Sequence, residues 1–221
     1  MRNAGLVVMV ALPLCGFQPR QPWKTKPPAQ WSVSEARLVL ADSPWAKPVN
    51  PQLKRAAGKG SEMAGASQTM RRGGYARGGT QSPEELYQLH PAVTVRWESA
   101  LPIREAEAMA GEVDAPDIEQ GNYAIAVYGV QSRFPGRDAK SLAGDFKKHA
   151  MLKREGKPDI KPASVEVIMR DTGIVAVFQF PRSAEITQAD REVQFEAQMG
   201  PLFVTHGFVL AEMVVAGKRE L

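Results

Sequence analysis

The sequence is almost without cysteine: Cys15 is the single one among 221 residues. An intrachain disulfide and a cysteine-based metal site are therefore both excluded. A cysteine nucleophile is excluded as well, because Cys15 directly follows an apolar run that is typical of an export signal. The folded part of the chain must be stabilised by other residue types.

Long apolar runs are also missing after the N-terminus, so no transmembrane helix is expected. Leu6–Leu14 is unbroken and apolar, Arg2 precedes it, and it has the length of a signal-peptide core. We therefore predict an export signal over residues 1–16, and a protein of the periplasm, the outer envelope or the extracellular space. A buried N-terminal segment is the alternative. Lipidation at Cys15 and plain cleavage after Gly16 both remain open.

Recognisable catalytic and cofactor motifs are absent. The chain has no nucleophile elbow, phosphate-binding loop or dinucleotide fingerprint, and its three histidines (His90, His149 and His206) lack metal-ligand spacing. Glu105 and Glu107 lie two apart on a predicted helix and so point in different directions. We predict no catalytic residue, no metal site and no cofactor, and a non-enzymatic protein is favoured.

Acidic residues are scarce in one region. Between Lys47 and Arg77 there are seven basic residues and one acid, Glu62, whereas the rest of the chain is slightly acidic. We predict a disordered basic linker over residues 49–82. It resembles the RGG segments of RNA-binding proteins around Arg71, Arg72, Tyr75 and Arg77, which are candidate polyanion-binding residues. Nucleic acid is a less natural partner for an exported chain than an acidic envelope polymer or anionic lipid.

Proline and tryptophan mark the segment before this linker. Residues 17–30 are proline-rich and predict an extended spacer. Ser32 and Glu35 match a capping box, which begins a short helix flanked by Trp31 and Trp45 within residues 31–48. So short a helix is marginal alone in water, so it should dock either on the protein's own C-terminal domain or on a partner.

Residues 83–221 have the hydrophobic patterns of one α+β domain. We predict a mainly antiparallel sheet of about six strands with two main helices on one face, in the order β-α-β-α-β-β-β-β. The helices cover Leu101–Gly111 and Asp138–Glu155. The strands are Val93–Trp97, Tyr123–Val130, Val165–Arg170, Ile174–Phe180, Val193–Met199 and Leu202–Leu210.

One local group of charged residues stands out in this domain. Trp97 is in phase with Val93 and Val95 and should be buried, which places Arg96 and Glu98 on the opposite face of the strand. With Arg104 just downstream, Arg96 and Glu98 form a candidate ligand edge.

Several motifs resemble a family of secreted bacterial proteins, loosely grouped with GWxTD-containing proteins, although that motif is absent from this chain. They are Trp31 with Glu35–Arg37, Asp42–Lys47, Val95–Ser99 and Phe180–Arg182. The resemblance implies export and brings no known activity. The expected function is a non-enzymatic binding or structural module of the cell envelope, with an unknown envelope protein or polyanionic polymer as its partner. Polyanion binding through the basic linker is the alternative.

Overall fold

The computed structural model describes residues 21–53, 92–112, 115–131, 134, 136–187 and 189–221. The predicted export signal with Cys15, and the polyanion-binding candidates Arg71, Arg72, Tyr75 and Arg77, lie outside the described residues. So does His90, and so does the predicted basic linker from residue 54 onward.

The segment before the linker is folded. It contains helix α1 (Pro22–Thr25), a 3-10 turn (Pro28–Gln30), helix α2 (Val33–Ala41) and strands β1 (Ala46–Val49) and β2 (Gln52–Leu53). The prediction of an extended spacer is wrong over residues 21–30, because Trp23 and Trp31 are buried in the main core and hold this segment against it. The linker prediction is likewise wrong over residues 49–53, where the end of β1 and all of β2 pair with other strands.

The start of α2 follows the sequence pattern closely. The Ser32 side chain accepts a hydrogen bond from the Glu35 backbone N–H, and the Glu35 carboxylate accepts one from the Ser32 backbone. This reciprocal capping box is confirmed. Lys26 donates to Glu35 over 2.7 Å. These contacts, above all the hydrogen bond from Lys26, lower the pKa of Glu35 to about 2.

The rest of the chain supplies two helices and ten strands among the described residues. The helices are α3 (Leu101–Ala110) and α4 (Ala139–Lys148). The strands are β3 (Val93–Trp97), β4 (Asn122–Val130), β5 (Ala150–Arg154), β6 (Lys157–Ile160), β7 (Ser164–Arg170), β8 (Gly173–Pro181), β9 (Glu192–Met199), β10 (Leu202–Val209), β11 (Val214–Val215) and β12 (Lys218–Arg219).

The α+β class and the antiparallel pairing are confirmed, but the strands form two main sheets instead of one. Sheet A has the order β1-β3-β4-β8-β7, sheet B has the order β2-β10-β9-β5-β6, and β11 and β12 form a small separate hairpin. Every pairing between the described strands is antiparallel. Large aromatic side chains join the two sheets face to face. The Trp97 ring lies 4.9 Å from that of Phe208, and the Phe178 ring lies 5.2 Å from that of Phe195.

Helix α4 is shorter than the prediction of Asp138–Glu155. It begins correctly, with the Asp138 side chain accepting a hydrogen bond from the Ser141 backbone over 2.7 Å, and it ends at Lys148. Residues 150–154 instead form β5, which pairs with β9 and buries Ala150 and Leu152. Pairing with β9, whose partner residues lie 39 to 47 positions later in the chain, overrode the local helical pattern.

Two glycines offer a matched test of backbone conformation. Gly144 lies inside α4 with no heavy atom within 4 Å of an added Cβ, so Gly144→Ala should stabilise the fold by about 0.5–1 kcal/mol. Gly173 has φ of +121°, and its Cβ would lie 3.2 Å from the Val130 carbonyl oxygen. Gly173→Ala should therefore destabilise the fold by about 1–3 kcal/mol in urea denaturation. Equal effects of the two substitutions would contradict the strained turn between β7 and β8.

Candidate functional site

The candidate ligand edge lies on the outer face of sheet A. Arg96 pairs with Ala126, and Thr94 pairs with Tyr128, so Arg96 and Tyr128 share the face that points away from sheet B. Trp97 points the other way, into the core, as its phase predicts. Glu98 follows β3 directly, and its backbone N–H donates to the Ala124 carbonyl.

Glu98 is fully buried, so the prediction that it is part of a ligand edge is wrong. The Tyr128 hydroxyl donates a short hydrogen bond to Glu98 Oε1. Burial, followed by the negative charge of Glu98 and this hydrogen bond, raises the pKa of Tyr128 above its ordinary value. Tyr128 therefore stays a neutral donor, and no ligand can reach the Glu98 carboxylate from solvent.

Arg96 is held by contacts within the protein and is likewise not free for a ligand. Its Nε donates to the Leu40 carbonyl at the end of α2 over 2.9 Å, and its Nη1 donates to Glu112 over 3.0 Å. Its guanidinium lies 4.3 Å from the centre of the Tyr128 ring. Burial opposes its charge, but the hydrogen bond to Glu112 and the nearby charge of Glu98 raise the pKa of Arg96.

Glu107 completes this buried cluster, and the sequence reasoning did not select it. Its side chain comes from α3 and is almost fully buried, and neither of its oxygens has a donor among the described residues. Burial first, then a hydrogen bond to Glu98 and the negative charge of Glu98, raise the pKa of Glu107 to about 9. The Glu107 carboxyl is therefore protonated at neutral pH.

A signal for Glu107 was present in the sequence. Ile103 and Ala106 mark the apolar face of α3, and Glu107 lies four residues after Ile103 on the same face. An acid on the buried stripe of a helix should be neutral or paired. Glu105, two residues earlier, lies on the exposed face of the same helix, so the two acids have different environments.

Arg104 differs from the other two candidates, because 44% of its side chain is exposed. Its Nη1 lies 3.9 Å from Glu107 Oε2 and donates to the Pro116 carbonyl over 3.1 Å. Arg104 lines a cleft of about 470 Å³ that we name the Arg104–Arg182 cleft. The other residues that line it are Ser99, Ile118, Glu119, Gln120, Gly121, Asn122 and Arg182.

Arg182, at the end of the Phe180–Arg182 motif, forms another wall of this cleft. Its Nε donates to the Asn122 carbonyl over 3.1 Å and its Nη2 donates to the Leu221 carbonyl over 2.9 Å. Its guanidinium lies 4.8 Å from the centre of the Tyr123 ring. These contacts fix the position of Arg182 beside the cleft.

A larger groove of about 720 Å³ lies between the β5–β6 turn and the start of β9. Two of its lysines are already paired with acids: Lys157 with Asp190 over 2.7 Å, and Lys153 with Glu196 over 2.9 Å. Arg154 is tied to the backbone carbonyls of Glu185 and Pro158. Both lysines are therefore neutralised, and the acids Glu155, Asp190 and Glu192 also line this groove. It is a weaker candidate for an anionic ligand than the Arg104–Arg182 cleft.

The two described histidines are not part of a metal site. His206 is half-buried on β10, and burial, together with the positive charge of Lys47, lowers the pKa of His206 to about 4. His149 follows α4 and contacts the Asp145 carbonyl through Nδ1. In the part of the chain that the structure describes, no group of three or more histidines, cysteines or acids could hold a metal ion. None of the described helices combines the length and the apolar character needed to cross a membrane.

Comparison of the chain with protein-family models, with curated proteins and with solved structures gives no match. The chemistry of the cleft and of the buried cluster behind it is therefore the basis for a functional proposal.

Proposed function

We propose that the protein is an exported, non-enzymatic binding module of the cell envelope, and that its binding surface is the Arg104–Arg182 cleft. One observation carries the choice of surface. Arg104 extends from the buried Glu98–Glu107 pair into the cleft, and its side chain stays 44% exposed. Ionisable groups with strongly shifted pKa values beside a cleft are typical of functional sites.

Burial of the carboxyl pair favours binding over acid–base catalysis. A general acid or base must come within hydrogen-bond distance of the substrate. Glu98 and Glu107 are 0% and 2% exposed, so a substrate in the cleft would contact Arg104 and not the two carboxyls. The pair acts on the cleft through its effect on the charge around Arg104.

Export is supported by the N-terminal sequence. Arg2, the apolar run Leu6–Leu14 and the small residue Gly16 have the order of a signal peptide. The resemblance to secreted proteins points the same way. Both a lipid anchor on Cys15 and a free mature protein are compatible with a module that binds in the envelope.

Intact-mass analysis of the mature protein tests export. We expect either a chain that begins at Cys15 with a diacylglyceryl group or a chain that begins at Phe17. The first result establishes anchoring to a membrane and the second establishes secretion. An uncut chain that still begins at Met1 would contradict export, whatever the cleft binds.

A second candidate function is polyanion binding through the basic linker. The observation that favours it is the ratio of seven basic residues to one acid between Lys47 and Arg77. Lys47 itself belongs to β1 and pairs with Asp42 over 2.5 Å, so its charge is already compensated. Arg71, Arg72 and Arg77 would carry this function.

A further inference from the structure

We infer that the Arg104–Arg182 cleft is an oxyanion site that binds a carboxylate or phosphate group of its ligand. This inference rests on the proposed function, which makes the cleft the binding surface, and it adds the chemical class of the ligand. Four features of the described residues support it. Two arginines have unused hydrogen-bond donors, and a neutral carboxyl lies behind one of them. A helix begins close to the cleft, and the one described acid that lines the cleft is already hydrogen-bonded.

Both arginines have donors to spare. A guanidinium carries five N–H groups in a planar fork that matches two oxygens of a carboxylate or phosphate. Arg104 uses Nη1 for the Pro116 carbonyl, and Arg182 uses Nε and Nη2 for backbone carbonyls. Arg104 Nε and Nη2, and Arg182 Nη1, have no hydrogen-bond partner among the described residues.

The proton on Glu107 leaves the charge of Arg104 uncompensated. An ionised Glu107, 3.9 Å from Arg104 Nη1, would form an ion pair and cancel much of the positive potential in the cleft. Burial and the neighbouring Glu98 keep Glu107 neutral at neutral pH. Arg104 therefore presents its positive charge to an incoming anion.

The start of α3 adds to this potential. Ser99 lines the cleft two residues before the first residue of the helix, Leu101. Ala100, at the N-cap, gives no side-chain cap, and the first turn contains no acid. The helix's own side chains therefore do not neutralise the positive end of its dipole, which lies close to Ser99 and adds a modest positive potential on this side of the cleft.

Among the described residues, Glu119 is the one acid that lines the cleft. Its Oε2 accepts a hydrogen bond from Asn122 Nδ2 over 3.0 Å, and its backbone N–H donates to Gln179 Oε1 over 3.0 Å. These bonds hold Glu119 in place, and its charge should weaken anion binding without abolishing it. Two arginines against one carboxylate also make the cleft unsuited to a metal cation.

The test is an amide-shift titration of the ¹⁵N-labelled full mature chain with three probes: inorganic phosphate, D-glucuronate and the neutral sugar D-glucose. We expect phosphate, glucuronate or both to shift the amides of Ser99, Gly121 and Asn122 saturably. Glucose should give no saturable shift. The anion with the lower Kd indicates whether the natural ligand presents a phosphate or a carboxylate group.

Variants of the cleft give the expected changes in affinity. Arg182→Gln should weaken anion binding about tenfold, because a charge-assisted hydrogen bond is lost. Glu119→Gln should tighten binding severalfold by removing the like charge, and this gain keeps the test valid if Arg182→Gln fails to fold. Arg191→Gln in the larger groove, and the triple variant R71Q/R72Q/R77Q in the linker, should bind as the unmodified protein does.

Four outcomes would overturn the inference, and they separate its failure from that of the proposed function. If glucose shifts the cleft amides as strongly as the anions do, the cleft is a binding surface but its ligand class is wrong. If binding is lost in Arg191→Gln, the larger groove holds the anion. If it is lost in the triple variant, the linker does. If no probe shifts the cleft amides, the proposed binding surface fails together with the inference.

Discussion

Replacing Glu107 with glutamine is expected to stabilise the protein at pH 7 by roughly 3 kcal/mol, because a folded-state pKa of about 9 replaces an ordinary value of 4.5. Glutamine has the shape of the protonated carboxyl and, like it, is a neutral hydrogen-bond donor. Unlike glutamate, it has no charged form that favours the unfolded chain at neutral pH. Urea denaturation of both proteins measures the difference.

The stabilising effect of Glu107→Gln should depend on pH. Below pH 4.5 Glu107 is protonated in the folded and in the unfolded chain and does not affect their balance. Between pH 4.5 and about 9 the unfolded chain has released the proton while the folded chain retains it, so stability falls as the pH rises. The slope from this group is about 1.4 kcal/mol per pH unit. The stabilities of the two proteins should diverge over this range and run parallel above it.

Glu105→Gln is the matched control for Glu107→Gln. Glu105 lies on the same helix, two residues earlier, and is exposed. The change in formal charge is identical, so Glu105→Gln should alter stability by less than about 0.5 kcal/mol. If the Glu107→Gln protein were less stable than the unmodified protein at neutral pH, Glu107 would not be protonated in the folded state.

Trp45→Ala is expected to destabilise the fold by about 3–5 kcal/mol, since it removes a fully buried aromatic side chain. The Trp45 indole N–H donates to the Glu220 carbonyl over 2.8 Å, and the Trp45 carbonyl accepts from the Trp97 N–H over 2.7 Å. The substitution leaves a cavity in the core and an unpaired carbonyl near the C-terminal hairpin. Thermal and urea denaturation would both report the loss.

Val33→Ala on the neighbouring helix α2 is the control for Trp45→Ala. Val33 is 47% exposed, so its truncation should change stability by no more than about 0.5 kcal/mol. Trp45→Phe should lie between the two, because it keeps most of the buried volume and loses the hydrogen bond. A Trp45→Ala protein as stable as the unmodified one would mean that residues 31–48 are detachable, as docking on a partner would require.

Local patterns in the sequence predicted the parts of the fold that depend on near neighbours. The alternation of Val93, Val95 and Trp97 places all three in the core, and the capping box at Ser32 begins α2. The turn between β7 and β8 has its glycine at Gly173. These features follow from side-chain periodicity and backbone sterics over a few residues.

Long-range pairing could not be predicted in the same way. Residues 150–154 continue a helical pattern, yet they form β5 because β9 offers a partner and the core takes Ala150 and Leu152. The four consecutive C-terminal strands gave no sign that they divide between two sheets: β7 and β8 belong to sheet A, and β9 and β10 belong to sheet B. Short connections fix antiparallel neighbours, but they do not fix which hairpin lies beside which.

The candidate site, too, was predicted from the sequence only in part. Sequence alone selected Arg96, Glu98 and Arg104, and it determined that Arg96 and Glu98 lie on the face opposite Trp97, because side chains alternate along a strand. The tertiary structure decided that Glu98 is buried, that Arg96 is used within the protein, and that Arg104 shares a cleft with Arg182 from the end of β8. It also placed Glu107 against Glu98. Burial and the distance between charges arise when separate elements pack together, and these two quantities set the charge of the cleft.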